Sequence, residues 1–257
     1  MRVFITGASS GIGAALARAY AAKGATIALV ARREAALRQL ADELANITAV
    51  QVFIYPLDVA DAEALQAAAS HFIARAGLPD VVIANAGVSV GTLTEEIGDI
   101  KAFERVFAVN VTGMVNTFAP FAAAMRTRGG GRLVGIASVA GVRGLPGAGA
   151  YSASKAAVFA YLESLRVEMR DCGVKVVTIA PGYIRTPMTA VNDYPMPFLM
   201  DTDVAAQHML RAIDRGARCS VIPWQMGVVA ILLRLVPDAI YDRLAARAGR
   251  KPRNLPL

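Results

Sequence analysis

The sequence predicts an α/β fold: a doubly wound parallel sheet of about seven strands with helices on both faces, built from one 257-residue domain. Two observations carry this. Short continuous Val/Ile/Leu runs alternate with longer stretches rich in Ala, Leu, Glu and Arg, and continuous apolar runs suit strands buried on both faces. No repeat, low-complexity segment or linker divides the chain, so residues 1–257 read as a single unit. An apolar content of 55% with charges spread throughout excludes a disordered or collagen-like protein.

The strands expected, in order, are Val3–Thr6, Thr26–Ala31, Val50–Ile54, Val81–Ala84, Arg132–Ala137, Val174–Ile179 and Cys219–Ile222. Parallel strands need crossovers, and the helix-forming stretches Ala14–Lys23, Glu34–Leu44, Asp61–Ala76, Lys101–Met125 and Ala150–Cys172 supply them as right-handed βαβ units.

Composition narrows the function classes. Cys172 and Cys219 lack a CxxC spacing or a His partner, so they read as ordinary buried thiols in a reducing compartment. The opening Arg2-Val3-Phe4-Ile5 shows no charged region followed by a long apolar run; no signal peptide is read, and a cytoplasmic location is expected. His71 and His208 have no second ligand at metal spacing, so no metal site is expected. The net charge of +7 is uneven: Arg234, Arg243, Arg247, Arg250, Lys251 and Arg253 face only Asp238 and Asp242 in the tail. The body of the protein therefore does not read as a nucleic-acid surface.

The turn after the first strand, Thr6-Gly7-Ala8-Ser9-Ser10-Gly11-Ile12-Gly13, opens the first helix. Glycine lets the backbone approach a pyrophosphate, the helix N-terminus offers free N–H groups, and Gly13 allows close helix–sheet packing. This is the Rossmann-type dinucleotide turn in the context its mechanism demands. At the end of the second strand an NAD site would carry a carboxylate for the ribose 2′-hydroxyl. Here Ala31 is followed by Arg32 and Arg33, which suit a 2′-phosphate and predict NADP(H) as cofactor. The alternative, two arginines capping a solvated helix start, is disfavoured by the helix dipole.

Tyr151 and Lys155, four apart on a predicted helix, point from one face. Ser138 ends a central strand at the edge where open α/β sheets bind ligands, and Asn110 lies in an earlier helix. With Leu57-Asp58-Val59, Asn85-Ala86-Gly87 and Pro181-Gly182 followed by Thr186, these motifs resemble the classical short-chain dehydrogenase/reductase (SDR) family over about residues 1–190. The resemblance implies an oxidoreductase that moves a hydride between NADP(H) and a carbonyl or alcohol. It implies Tyr151 as general acid and base, Lys155 lowering the tyrosine pKa and holding the nicotinamide ribose, and Ser138 bonding the substrate oxygen. Asn110 would hold a water linking Lys155 to solvent. Cofactor contacts carried over are Gly7, Ser9, Ser10, Gly11, Ile12 and Gly13 at the turn, and Asp58 and Val59 at the adenine. Asn85, Ala86 and Gly87 follow along the cofactor, and Pro181, Gly182, Ile184 and Thr186 lie beside the nicotinamide, joined by Tyr151 and Lys155. One departure is Ala84, where the family often has a first asparagine.

After Pro181-Gly182 the resemblance implies a substrate lid at about residues 183–203. Its Met188, Met196, Met200, Tyr194, Pro195, Pro197, Phe198 and Leu199 predict an apolar pocket and an apolar substrate. The extension 224–257 holds Trp224 and the apolar run Met226–Val236, shorter than the roughly 20 residues a bilayer span takes. Three readings stay open for it: a buried helix, a subunit contact in an expected homodimer, or a peripheral segment at the inner membrane surface backed by the basic tail. Two competing functions also stay open, a non-catalytic NADP(H)-binding sensor and a lipid-directed enzyme held at a membrane.

Overall fold

The computed structural model describes residues 1–47 and 50–255; Thr48, Ala49, Pro256 and Leu257 lie outside the described residues. Seven parallel strands form one sheet in the order β3-β2-β1-β4-β5-β6-β7. They are β1 Arg2–Thr6, β2 Thr26–Ala31, β3 Val52–Pro56, β4 Val81–Ala84, β5 Gly131–Ile136, β6 Val174–Pro181 and β7 Cys219–Ile222. The expected doubly wound α/β fold is the observed one.

Side chains alternate across each strand, and each face has its own core. Val3, Ile5, Ile27, Leu29, Ile83 and Val134 pack beneath α1 (Gly11–Ala21), α2 (Glu34–Ile47) and α8 (Thr202–Asp214). Phe4, Ala28, Val82, Leu133 and Val176 turn the other way, towards α3 (Ala62–Ala76), α5 (Gly113–Arg128) and α6 (Gly149–Glu168). Phe4 is fully buried, with its ring centroid 4.9 Å from that of Phe121.

Three expectations need correction. The third strand lies two residues later than Val50–Ile54, because Ile27 to Ala31 pair with Val52 to Pro56. The stretch expected as one helix from Lys101 is α4 (Ile100–Phe107), a turn of π-helix over Ala108–Thr112, and then α5. The wider turn places Asn110 fully buried, in a form often found at functional sites. Finally, Cys219 is exposed and Cys172 half-buried, so neither is the buried thiol expected. His71 packs at the surface, its Nδ1 2.9 Å from the Tyr55 hydroxyl.

The order of the sheet reverses at β1: β2 continues on one side and β4 starts the other half. Crossovers on either side leave a crevice beyond the carboxyl ends of β1 and β4. The functional cleft opens there.

Candidate active site

The cleft encloses about 520 Å³. Gly7 forms its floor at φ 65°, and a Cβ there would lie 2.7 Å from the Ala86 backbone, so β1 and β4 ends meet only through glycine. Asn85 ties the same junction, donating from Nδ2 to the carbonyls of Thr6 and Gly7 at 3.0 and 3.1 Å. Gly13 does not line the cleft; a Cβ on it would fall 2.3 Å from the Gly7 carbonyl oxygen, so its role is packing α1 onto the turn. Ser10 caps α1 without a side-chain bond to the helix, which leaves the first N–H groups facing the cleft for an anion.

Arg32 and Arg33 line the outer end with Ala31, Asp58 and Val59. Arg33 is anchored: its Nη2 donates to the hydroxyls of Ser9 at 3.1 Å and Ser10 at 2.9 Å. Arg32 is exposed and makes no such bond among the described residues. Asp58, the only acid in the lining among the described residues, is already engaged. Its Oδ1 accepts the Ala60 N–H at 3.0 Å and its Oδ2 pairs with Arg105, an ion pair that reaches across from α4. Burial raises the Asp58 pKa, but the Ala60 N–H and the Arg105 guanidinium outweigh it and hold the carboxyl below its ordinary value. Arg105 therefore engages this carboxylate directly while Arg32 acts on it only through space, and both offset its repulsion of a phosphate.

Opposite, Ser138, Tyr151 and Lys155 line the inner end together. Ser138 follows β5, in extended backbone, and opens a short 3-10 turn, Val139–Gly141. A Cβ on Gly141 would lie 2.6 Å from the Lys155 carbonyl carbon, so this turn seats directly on α6 and sets Ser138 against Tyr151. Lys155 Nζ donates to the Ile136 carbonyl at 2.8 Å and lies 5.9 Å from the Tyr151 ring centroid. Burial depresses the lysine to about 8. Burial also pushes the Tyr151 phenol above its ordinary value, and the Ser138 hydroxyl pulls it partly back. The expected lowering of the phenol by the Lys155 ammonium does not appear: burial dominates, and only Ser138 acts against it.

Asn110 does not line the cleft. Its Nδ2 donates to the Val88 carbonyl (3.0 Å) and the Ser154 hydroxyl (2.9 Å), and its Oδ1 accepts the Val88 N–H (2.8 Å). Both amide protons are thus spent on the loop after β4 and on α6, clamping the two walls that carry Gly87 and Lys155. A Cβ on Gly87 would sit 3.6 Å from Lys155 Nζ, so the lysine reaches past this glycine.

The segment after β6 is a closed loop. Arg185 and Met200 pair at its neck, and α7 (Pro187–Ala190) carries a capping box between Thr186 and Thr189. Of the apolar residues expected to line a pocket, Met188 does so, Met200 packs on the core beside α8, and Phe198 is 51% exposed at φ 58°. The tail then crosses over this loop. After α9 (Trp224–Leu235) and α10 (Asp238–Ala245), Lys251 donates to the Met188 carbonyl at 2.9 Å and Asn192 Oδ1 at 3.2 Å. Two residues on, Arg253 binds Asp99 at 2.9 Å and Glu96 at 3.0 Å on the opposite wall. This strap and Arg105 escaped the sequence reading. Their partners lie 47 to 157 residues away, and no local pattern marks them; the basic tail was the only trace.

The cleft's motifs have counterparts. Residues 1–195 match the model of the short chain dehydrogenase family. The chain belongs to the short-chain dehydrogenases. A relative in Myxococcus xanthus, described as an uncharacterized oxidoreductase, is 40% identical over 243 residues, covering 95% of each chain. Among solved structures, a short-chain dehydrogenase from Sphingobium yanoikuyae in complex with NADPH superposes with a TM-score of 0.78 at 28% identity, covering 93% of this chain and 97% of that one. L-sorbose reductase from Gluconobacter frateurii, complexed with NADPH and L-sorbose, gives 0.78 at 26% identity over 86% and 94%. In this short-chain dehydrogenase the strap lies beyond residues 1–195, the part that the family model matches.

Proposed function

We propose that this short-chain dehydrogenase is an NADP(H)-dependent oxidoreductase that interconverts a carbonyl and an alcohol on an apolar substrate. One observation carries the reading: a single cleft holds Arg32 and Arg33 at one end, where Asp58 is paired with Arg105, and Ser138, Tyr151 and Lys155 at the other. The glycine turn fits a dinucleotide: Gly7 lines the cleft at φ 65°, and the missing Cβ of Gly13 lets α1 pack close behind it. Gly7, Ser9, Ser10, Gly11 and Ile12 with the α1 N-terminus would hold the pyrophosphate, Arg32 and Arg33 the 2′-phosphate, and Asp58 and Val59 the adenine. Asn85, Ala86, Gly87, Pro181, Gly182, Ile184 and Thr186 would flank the nicotinamide. When bound, that group supplies or accepts the hydride.

The chain's own residues handle the oxygen and its proton. Ser138 donates a hydrogen bond to the substrate oxygen and stabilises the charge that develops there. Tyr151 gives its phenolic proton to that oxygen in reduction and recovers it in oxidation. The Lys155 ammonium balances the phenolate left behind, and Asn110 positions the loop and helix that carry this set. Met188 and the Tyr183–Tyr194 ring contact (6.4 Å) beside the inner end support an apolar substrate.

The test is NADPH oxidation, with NADH in parallel, across aldehydes, ketones, β-ketoacyl thioesters and steroid-like ketones. Turnover with NADPH and little with NADH is expected, and Tyr151→Phe should lower it by roughly 10²–10⁴-fold. Unchanged turnover in that variant would remove Tyr151 from its role. NADPH binding without turnover on any of these would favour a sensor.

A further inference from the structure

We propose that the outer face of α9 and α10 is a docking surface for an anionic lipid membrane, on which the protein rests peripherally. α9 meets the body on one side only, where Met226 and Ala230 pack with Val139 and Tyr183. Its other side carries Trp224, Val228, Ile231 and Leu235 at helical spacing, 72%, 48%, 62% and 73% exposed. Ile240 and Leu244 of α10 are exposed as well. The pair is held firmly: Arg143 donates to the Leu233 and Val236 carbonyls at 2.6 and 2.5 Å, bonds Asp238, and lies 4.0 Å above the Tyr241 ring. An apolar face clamped in place by a half-buried arginine is a presented surface, not a fraying end.

Charge identifies the occupant. Arg234, Arg243 and Arg247 flank this face, are exposed, and have no ion-pair partner among the described residues. Of the two acids in these helices, Asp238 is taken by Arg143, leaving Asp242. A self-complementary two-fold contact would need acids to meet these arginines, and among the described residues of the two helices only Asp242 is left to do so. Anionic headgroups would pair with them while the apolar side chains enter the acyl boundary. At 12 residues α9 is about 18 Å long, so it lies along the interface and does not span it. Met226 Cγ comes within 2.5 Å of where a Gly182 Cβ would stand, so the docked face backs onto the inner end of the cleft.

Trp224 is the chain's single tryptophan, so its emission reports on this face alone. Full-length protein titrated with phosphatidylglycerol vesicles should co-sediment and shift its tryptophan emission to the blue, with little of either on phosphatidylcholine. Ile231→Asp with Leu235→Asp should abolish both at an unchanged melting temperature; both positions are exposed, so the fold is expected to survive. Arg243→Gln and Arg247→Gln should each weaken binding about fivefold. Absence of binding to phosphatidylglycerol, or equal binding to both lipids, would overturn the proposal. So would a blue shift that follows protein concentration without vesicles and accompanies a doubled mass, which would assign the face to a second copy.

Discussion

Lys155 is a cation buried to 3% exposure with one carbonyl bond, and its pH linkage follows. Its ordinary value of 10.5 falls to about 8 in the fold. Below pH 8 both folded and unfolded chains hold the proton, and the burial cost of about 3 kcal/mol is fully present. Between pH 8 and 10.5 only the unfolded chain binds it, so this contribution makes stability rise with pH and the cost fades. Lys155→Met should therefore be more stable than the parent at pH 7, with the gap shrinking towards pH 10.5; urea titrations at the two pH values would measure it. At the other end of the cleft, Arg105→Ala should release Asp58 towards Arg32 and weaken NADPH binding roughly tenfold or more while leaving NADH nearly unchanged, read by nucleotide fluorescence titration. Gly7, Gly13, Ser138, Tyr151 and Lys155 were legible in the sequence because their demands are local: a glycine conformation, a strand end, a four-residue spacing. Arg105 was not, since its meaning comes from a carboxylate 47 residues away.

At the scale of elements, strands were legible to within two residues, because buried parallel strands write themselves as uninterrupted apolar runs, while the bounds of α8 and α10 were not read. The π turn was invisible, since Ala108–Thr112 has the composition of ordinary helix and its width is set by the packing of Asn110 against Val88 and Ser154. The strap was equally hidden. It rests on Arg253 with Asp99 and Glu96, on Lys251 with the loop after β6, and on the absence of a side chain at Gly91, where a Cβ would fall 2.2 Å from the Lys251 carbonyl oxygen. Either Arg253→Ala or Gly91→Ala should unseat it. Limited digestion with trypsin at Arg247 and Arg250 should then speed up severalfold while the melting temperature moves little, because neither change touches the two cores.

Across the whole molecule, stability comes from the two apolar layers, and Phe4 sits at the centre of one of them with Phe72 and Phe121 around its ring. Phe4→Ala should cost about 3–5 kcal/mol, visible as a lower urea midpoint. The sheet order has a further meaning. Strands β1 to β3 carry the glycine turn, Arg32, Arg33 and Asp58, while β4 to β7 carry Ser138, Tyr151, Lys155 and the strap. On the proposed reading the first half would choose the coenzyme and the second would carry the chemistry, the two meeting after α3. A graft of residues 1–76 from a relative of opposite coenzyme preference should transplant that preference, provided residue 105 travels with its new partner, because the Arg105–Asp58 ion pair crosses the join.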